Sequence, residues 1–90
     1  MTRQERIRTK LTEAFSPLAL DVVDESHLHA GHAGARPEGE THFRVTVAAA
    51  AFDGVNRVER QRMVNGALAS EFDAGLHALS IRALAPAEMT

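Results

Sequence analysis

Most of the chemistry open to this chain lies in its five histidines. Four of them, His27, His29, His32 and His42, fall within the stretch from Asp24 to Phe43. Neutral imidazole is a general metal ligand, and histidine is the side chain whose unperturbed charge change falls between pH 5 and 8. The stretch is rich in Gly and Ala and holds Pro37, so it reads as an exposed loop joining two strands. His77 opens a later apolar segment and meets that loop only if folding brings the two together. There is no cysteine. Disulfides, a thiolate nucleophile and an all-cysteine metal site are therefore excluded, and a metal must take N and O ligands here or share ligands with a partner. His27, His29 and His32 could bind zinc or copper unaided, but no carboxylate is placed to orient each ring, which makes an autonomous site a weak reading. Ser26 lies outside any nucleophile elbow, and Asp24–Glu25 has no partner acid elsewhere, so no enzyme is expected.

The elements that must position these residues follow from length and pattern. Ninety residues, 44% of them hydrophobic, suffice for one small domain with a single modest core. No apolar run approaches the roughly 20 residues of a membrane span, and no signal-type apolar region follows the polar start. The arginines near the N-terminus resemble a transit peptide, but Glu5 and Glu13 and the fit of this stretch to a domain helix argue against one. A net charge of −2 does not announce nucleic-acid binding. Nine arginines against one lysine, with abundant alanine, fit a GC-rich bacterial genome, and the expected location is the cytoplasm.

Residues 3–15 read as an amphipathic helix, with Ile7, Leu11 and Phe15 recurring every four positions and Arg3, Arg6, Arg8 and Lys10 on the other faces. Ser16-Pro17 ends it, since a residue before proline is pushed out of the helical region. Residues 18–26 alternate as a strand, and a second strand over 42–50 places Phe43, Val45, Val47 and Ala49 on one face. The strict alternation predicts a sheet with one covered and one open face, and these two strands should pair antiparallel. The alanines at 48–51 leave the end of the second strand open. Asn56 with Glu59 resembles a capping box, starting a helix at Asn56. Val64, Leu68 and Phe72 form its core stripe, whereas Val58 falls about 80° off it, which predicts a separate turn or 3₁₀ piece over 55–61. Gly75 ends the helix in a left-handed position. A third strand follows over 76–84 with His77, Leu79, Ile81 and Ala83 on one face, and a short tail runs from Pro86 to Thr90. The expected domain has its core over about 4–85.

Several separated segments in the right order carry a resemblance: Asp24-Glu-Ser-His27, Glu40-Thr-His-Phe43, Arg60-Gln-Arg-Met-Val-Asn65 and Leu76-His-Ala-Leu-Ser-Ile81. Together they resemble the BolA family, over nearly the whole chain from about residue 4 to 88. The resemblance implies a small α+β domain similar to the class II KH fold, ordered α-β-β-(short turn or 3₁₀)-α-β. It also implies a three-stranded sheet with helices packed on one face.

For function, the resemblance implies a factor in iron–sulfur cluster trafficking and iron homeostasis that pairs with a monothiol glutaredoxin and shares a [2Fe–2S] cluster with it and glutathione. The isolated protein, a monomer or weak homodimer, would lack the cluster. The ligand before the third strand maps onto His77. The loop ligand maps onto His29 when counted without a gap from Glu25-Ser26, while the additional His-Ala-Gly of this longer loop makes His32 the alternative. At Gln61 many relatives have histidine, so no histidine acts there in this chain. Histidine in place of thiolate makes cluster ligation sensitive to protonation, which suits transfer rather than storage. The competing reading is a DNA-binding transcriptional regulator using the basic patch Arg57, Arg60 and Arg62. Gly31-His-Ala-Gly34 matches the GxxG string of KH domains, but it lies in the hairpin loop rather than between two helices, where phosphate clamping needs it.

Overall fold

The computed structural model describes residues 2–25 and 41–89. Helix α1 (Arg3–Phe15) leads into β1 (Ala19–Asp24), and β2 (His42–Ala48) is followed by a 3₁₀ turn at Ala50–Phe52. Helices α2 (Arg57–Ala67) and α3 (Ala69–Asp73), β3 (Ala78–Leu84) and a 3₁₀ turn at Pro86–Glu88 complete the order. The sheet runs β1-β2-β3. β1 pairs antiparallel with β2, Val22 opposite Val45, and β3 pairs parallel with β2, His42 opposite Ala78 and Ala48 opposite Leu84. The return to a parallel neighbour uses α2 and α3 as the crossover, as parallel pairing requires.

The apolar periodicities place one core between helices and sheet. Ile7 and Leu11 of α1, Val64 of α2 and Leu68 meet Phe43, Val45 and Val47 of β2, with Val22, Phe52 and Leu76 closing the cluster. The covered face of β2 is the one its alternation predicts. Its other face is open at Arg44 and half-open at Thr46, yet closed at both ends by the buried His42 and Ala48.

Each helix has a local cause and a local end. Thr2 caps α1, its hydroxyl accepting from the Glu5 N–H at 3.2 Å. Ser16 ends it at φ 46°, donating its N–H to the Thr12 carbonyl. The residue before Pro17 thus leaves the helix through the left-handed region rather than the extended one. Asn56 caps α2, its Oδ1 accepting the Glu59 N–H at 2.9 Å. The separate turn expected over 55–61 is absent: the 3₁₀ piece sits earlier, at Ala50–Phe52, and α2 runs unbroken from Arg57 to Ala67. Val58 is off the stripe because it is 60% exposed, and a lone apolar residue at the surface is ordinary. The helical interruption falls instead at buried Leu68, whose N–H is shared between the Val64 and Asn65 carbonyls. Such sharing tightens a last turn and separates α2 from α3. Gly75, at φ 122°, occupies a backbone conformation that side chains disfavour.

Side chains from the helices also cap the two edge strands. Gln4 donates to the Val22 carbonyl of β1 at 2.7 Å, while Gln61 and Arg60 donate to the Ile81 and Ala83 carbonyls of β3 at 3.1 and 3.0 Å. Occupied edge carbonyls discourage pairing with another strand. Among the described residues, no helix is long and apolar enough to cross a membrane.

Candidate functional site

The parallel register brings the start of β2 beside the start of β3. The Thr41 carbonyl accepts the N–H groups of both His77 and Ala78, at 2.8 and 3.0 Å. Thr41 and His42 are buried, at 1% and 7% exposure, whereas His77 is exposed one residue before β3 begins. The expected inward strand position of His77 is therefore corrected. Its backbone bonds to Thr41, ahead of the first β2–β3 partner pair, His42 and Ala78, and its ring is not drawn into the core. The rings of His42 and His77 are 5.1 Å apart between centroids and inclined at 53°, within the range of tilted aromatic pairs. The Nδ1 of His42 lies 2.9 Å from the Thr41 hydroxyl oxygen.

The same end of the sheet holds both junctions of the long connection between β1 and β2. Glu25 donates its N–H to the His42 carbonyl at 2.8 Å, and Thr41 re-enters the sheet directly before β2. His27, His29 and His32, the histidines of that connection, lie outside the described residues. His42 is placed against His77 and not on a solvent face. Among the described residues, no group of three or more His, Cys, Asp or Glu side chains could hold a metal ion. A metal bound at His77 therefore needs ligands from elsewhere. Imidazole, a borderline nitrogen donor, suits iron, so the exposed ring fits one position of such a centre.

The arginines of the expected basic patch have separate fates. Arg60 is only 8% exposed; it donates to the Val55 carbonyl at 2.7 Å and the Ala83 carbonyl at 3.0 Å, and its guanidinium meets both oxygens of Glu88. The Arg60 hydrogen bond, aided by the Ala85 N–H, holds the Glu88 carboxyl down at a pKa of about 2. Arg62 pairs with Glu59 on the exposed side of α2. The patch of three free cations is thus overturned at Arg60, whose charge is spent on holding the C-terminal turn. What remains is an open groove of about 720 Å³ between α2 and β3, with Arg57 and Arg82 on its walls.

Two charged features escaped the sequence reading. Glu71, 2% exposed, receives Arg3, Arg6 and Lys10 from α1. Burial opposes its ionisation, but the hydrogen bonds from Arg6 and Lys10 outweigh that, and its pKa is lowered. The spacing of the three cations, at 3, 6 and 10 on one helix, was the available signal. Glu88 was the other, hidden in what reads as a loose tail.

A family model described as BolA-like protein matches residues 11–88. A relative from Sinorhizobium sp, described as an uncharacterized protein in the cobS 5′ region, is 48% identical over 91 residues, covering 100% of this chain and 98% of its own. Human BolA-like protein 1 is 48% identical over 82 residues, with 91% of this chain and 57% of that protein covered. The chain thus spans nearly all of the bacterial relative but little more than half of the human one. Among solved structures, the BolA domain of SufE1 from Arabidopsis thaliana superposes with a TM-score of 0.89 at 44% identity, covering 99% and 98% of the two chains. BolA1 from the same plant gives 0.88 at 39% identity, covering 100% and 99%. None of these names denotes a catalysed reaction. By model, sequence and structure alike, the chain belongs to the BolA family.

Proposed function

We propose that this protein is an iron–sulfur cluster trafficking factor of the cytoplasm. It would pair with a monothiol glutaredoxin and share a [2Fe–2S] cluster with that partner and glutathione. The observation that carries the reading is the exposed His77, fastened by its backbone to Thr41 at the end of the sheet where the histidine-bearing connection begins and ends. In a chain without cysteine, an exposed imidazole is a natural donor to such cargo. His77 supplies one ligand, and His29 or His32 supplies the second. The cluster is cargo, and nitrogen ligation leaves it open to loss on protonation. Regulation of transcription through Arg57, Arg60 and Arg62 is disfavoured, because Arg60 is enclosed and neutralised.

The test is co-expression with a monothiol glutaredoxin, followed by anaerobic size exclusion and visible circular dichroism. Wild type is compared with His77→Ala, His29→Ala and His32→Ala. A coloured heterodimer whose spectrum changes on loss of His77 and of one loop histidine is the expected result. A complex indifferent to all three substitutions, or no complex, would remove the reading.

A further inference from the structure

We propose that His42 is a positioning residue for His77: together with Thr41 it forms a buried platform that fixes the direction in which the His77 imidazole is presented. The inference rests on the reading of His77 as a cluster ligand, and it adds a residue that does not itself touch the cargo. An exposed histidine on a strand end ordinarily samples several rotamers. Here the choice is narrowed twice through neighbouring residues. The His77 N–H is held by the Thr41 carbonyl at 2.8 Å. Its ring then lies against the His42 ring, 5.1 Å between centroids.

The supporting ring is itself fixed. His42 is 7% exposed, and its Nδ1 lies 2.9 Å from the Thr41 hydroxyl oxygen, on a residue only 1% exposed. One threonine thus serves both histidines: its carbonyl holds the backbone of His77, and its hydroxyl engages the ring that His77 packs on. Outer residues that orient a ligating imidazole commonly contribute 10–100-fold to metal affinity or activity, because a ring already aimed loses less freedom on binding. The burial of His42 on the nominally open face of the sheet has a use on this account, since a solvated histidine could not hold its neighbour still.

The prediction can be read first without any cluster. In the isolated protein, ¹³C relaxation of the His77 ring is measured for wild type, His42→Ala, His42→Phe and Thr41→Val, with amide spectra as the check on folding. The His77 ring should become markedly more mobile in His42→Ala and less so in Thr41→Val, and should stay ordered in His42→Phe, which keeps a ring to pack on. In the glutaredoxin complex, His42→Ala should then speed cluster loss by about 10–100-fold, with His42→Phe restoring most of the lifetime. A folded His42→Ala with a His77 ring as ordered as in wild type would overturn the proposal. So would a His42→Phe protein as impaired as His42→Ala. If wild type formed no coloured complex while the ring mobilities followed the expected pattern, the trafficking reading would fail and the positioning role of His42 would stand.

Discussion

The two ends of the β2–β3 pair make opposite uses of polar side chains. At the start of the strands, Thr41 and His42 are buried and His77 stands exposed beside them. At the far end, Arg60 is enclosed by the Val55 and Ala83 carbonyls and the Glu88 carboxylate. In sequence the three arginines read as one accessible patch and His77 as a strand residue on the face of Leu79 and Ile81; the fold encloses Arg60 and leaves His77 exposed. The difference is one of commitment. A guanidinium carries five donors and suits several acceptors at once, so a buried arginine is drawn into structure. An imidazole before the first paired residue of an edge strand keeps its ring available.

That contrast is broken most directly by removing its two sides in turn. His77→Ala should abolish the histidine-dependent part of the glutaredoxin complex's spectrum. Because the ring is exposed, the same substitution should change unfolding free energy by no more than about 0.5 kcal/mol, read from urea denaturation. A large loss of stability with His77→Ala would make it a structural residue.

Glu71→Ala should do the reverse, leaving the ligand end intact while costing stability. Removing one partner of a buried ion pair typically costs 3–5 kcal/mol. Arg6 and Lys10 keep 36% and 31% of their side chains exposed and can rehydrate, so about 2–3 kcal/mol is expected, a fall of roughly 10–20 °C in Tm. The acid side agrees in sign. The Glu71 pKa is lowered in the fold, so its contribution is complete above the unfolded carboxyl's pKa and fades as pH falls below it.

Glu88→Gln should have a smaller effect at neutral pH, since Glu88 is 46% exposed, and its effect should depend on pH. The carboxyl titrates at about 2 in the fold against 4.5 as its ordinary value. Stability from the Arg60 contact is therefore present in full above 4.5 and is lost as pH falls through about 2. Melting temperatures of wild type and Glu88→Gln should differ at pH 6 and converge toward pH 2. A gap that persists unchanged at pH 2 would mean that the carboxylate is not what holds Arg60.

These tests track what was readable in advance. Periodicity located all three strands and α1, because the core takes every fourth residue of that helix and every second residue of β2. Caps at Asn56 and Gly75 were legible because their cause lies within a few residues. The break at Leu68 was not: it depends on how one buried leucine shares its N–H within a helix whose sequence continues in period. Val58 misled because an apolar side chain was assumed to need cover. For the site, His77 was legible as a residue but not as an exposed one. The His42–His77 contact spans 35 positions and arises only from the parallel register of β2 with β3. Arg60 was misassigned because its partners, Ala83 and Glu88, come from segments 23 and 28 residues away, and local charge counting cannot see them.

Arg60 and Arg62 supply the finest division between committed and surface charge, two positions apart on one helix. Arg62 is 72% exposed and its partner Glu59 is 50% exposed, three residues back. Such a pair contributes about 0.3–0.5 kcal/mol at most, and salt screens it. With Arg62 gone, Glu59 still lies in the first turn of α2, where its charge favours the helix dipole. Arg62→Ala should therefore leave the urea midpoint nearly unmoved, and still less affected in 0.5 M salt. Arg60→Ala removes the donor shared by two carbonyls and a carboxylate, so its midpoint should fall clearly, and Arg60→Lys should not restore it, because an ammonium lacks the guanidinium fork. Equal losses from Arg60→Ala and Arg62→Ala would erase the distinction and return all three arginines to a common surface patch, where binding to polyanions would again need testing.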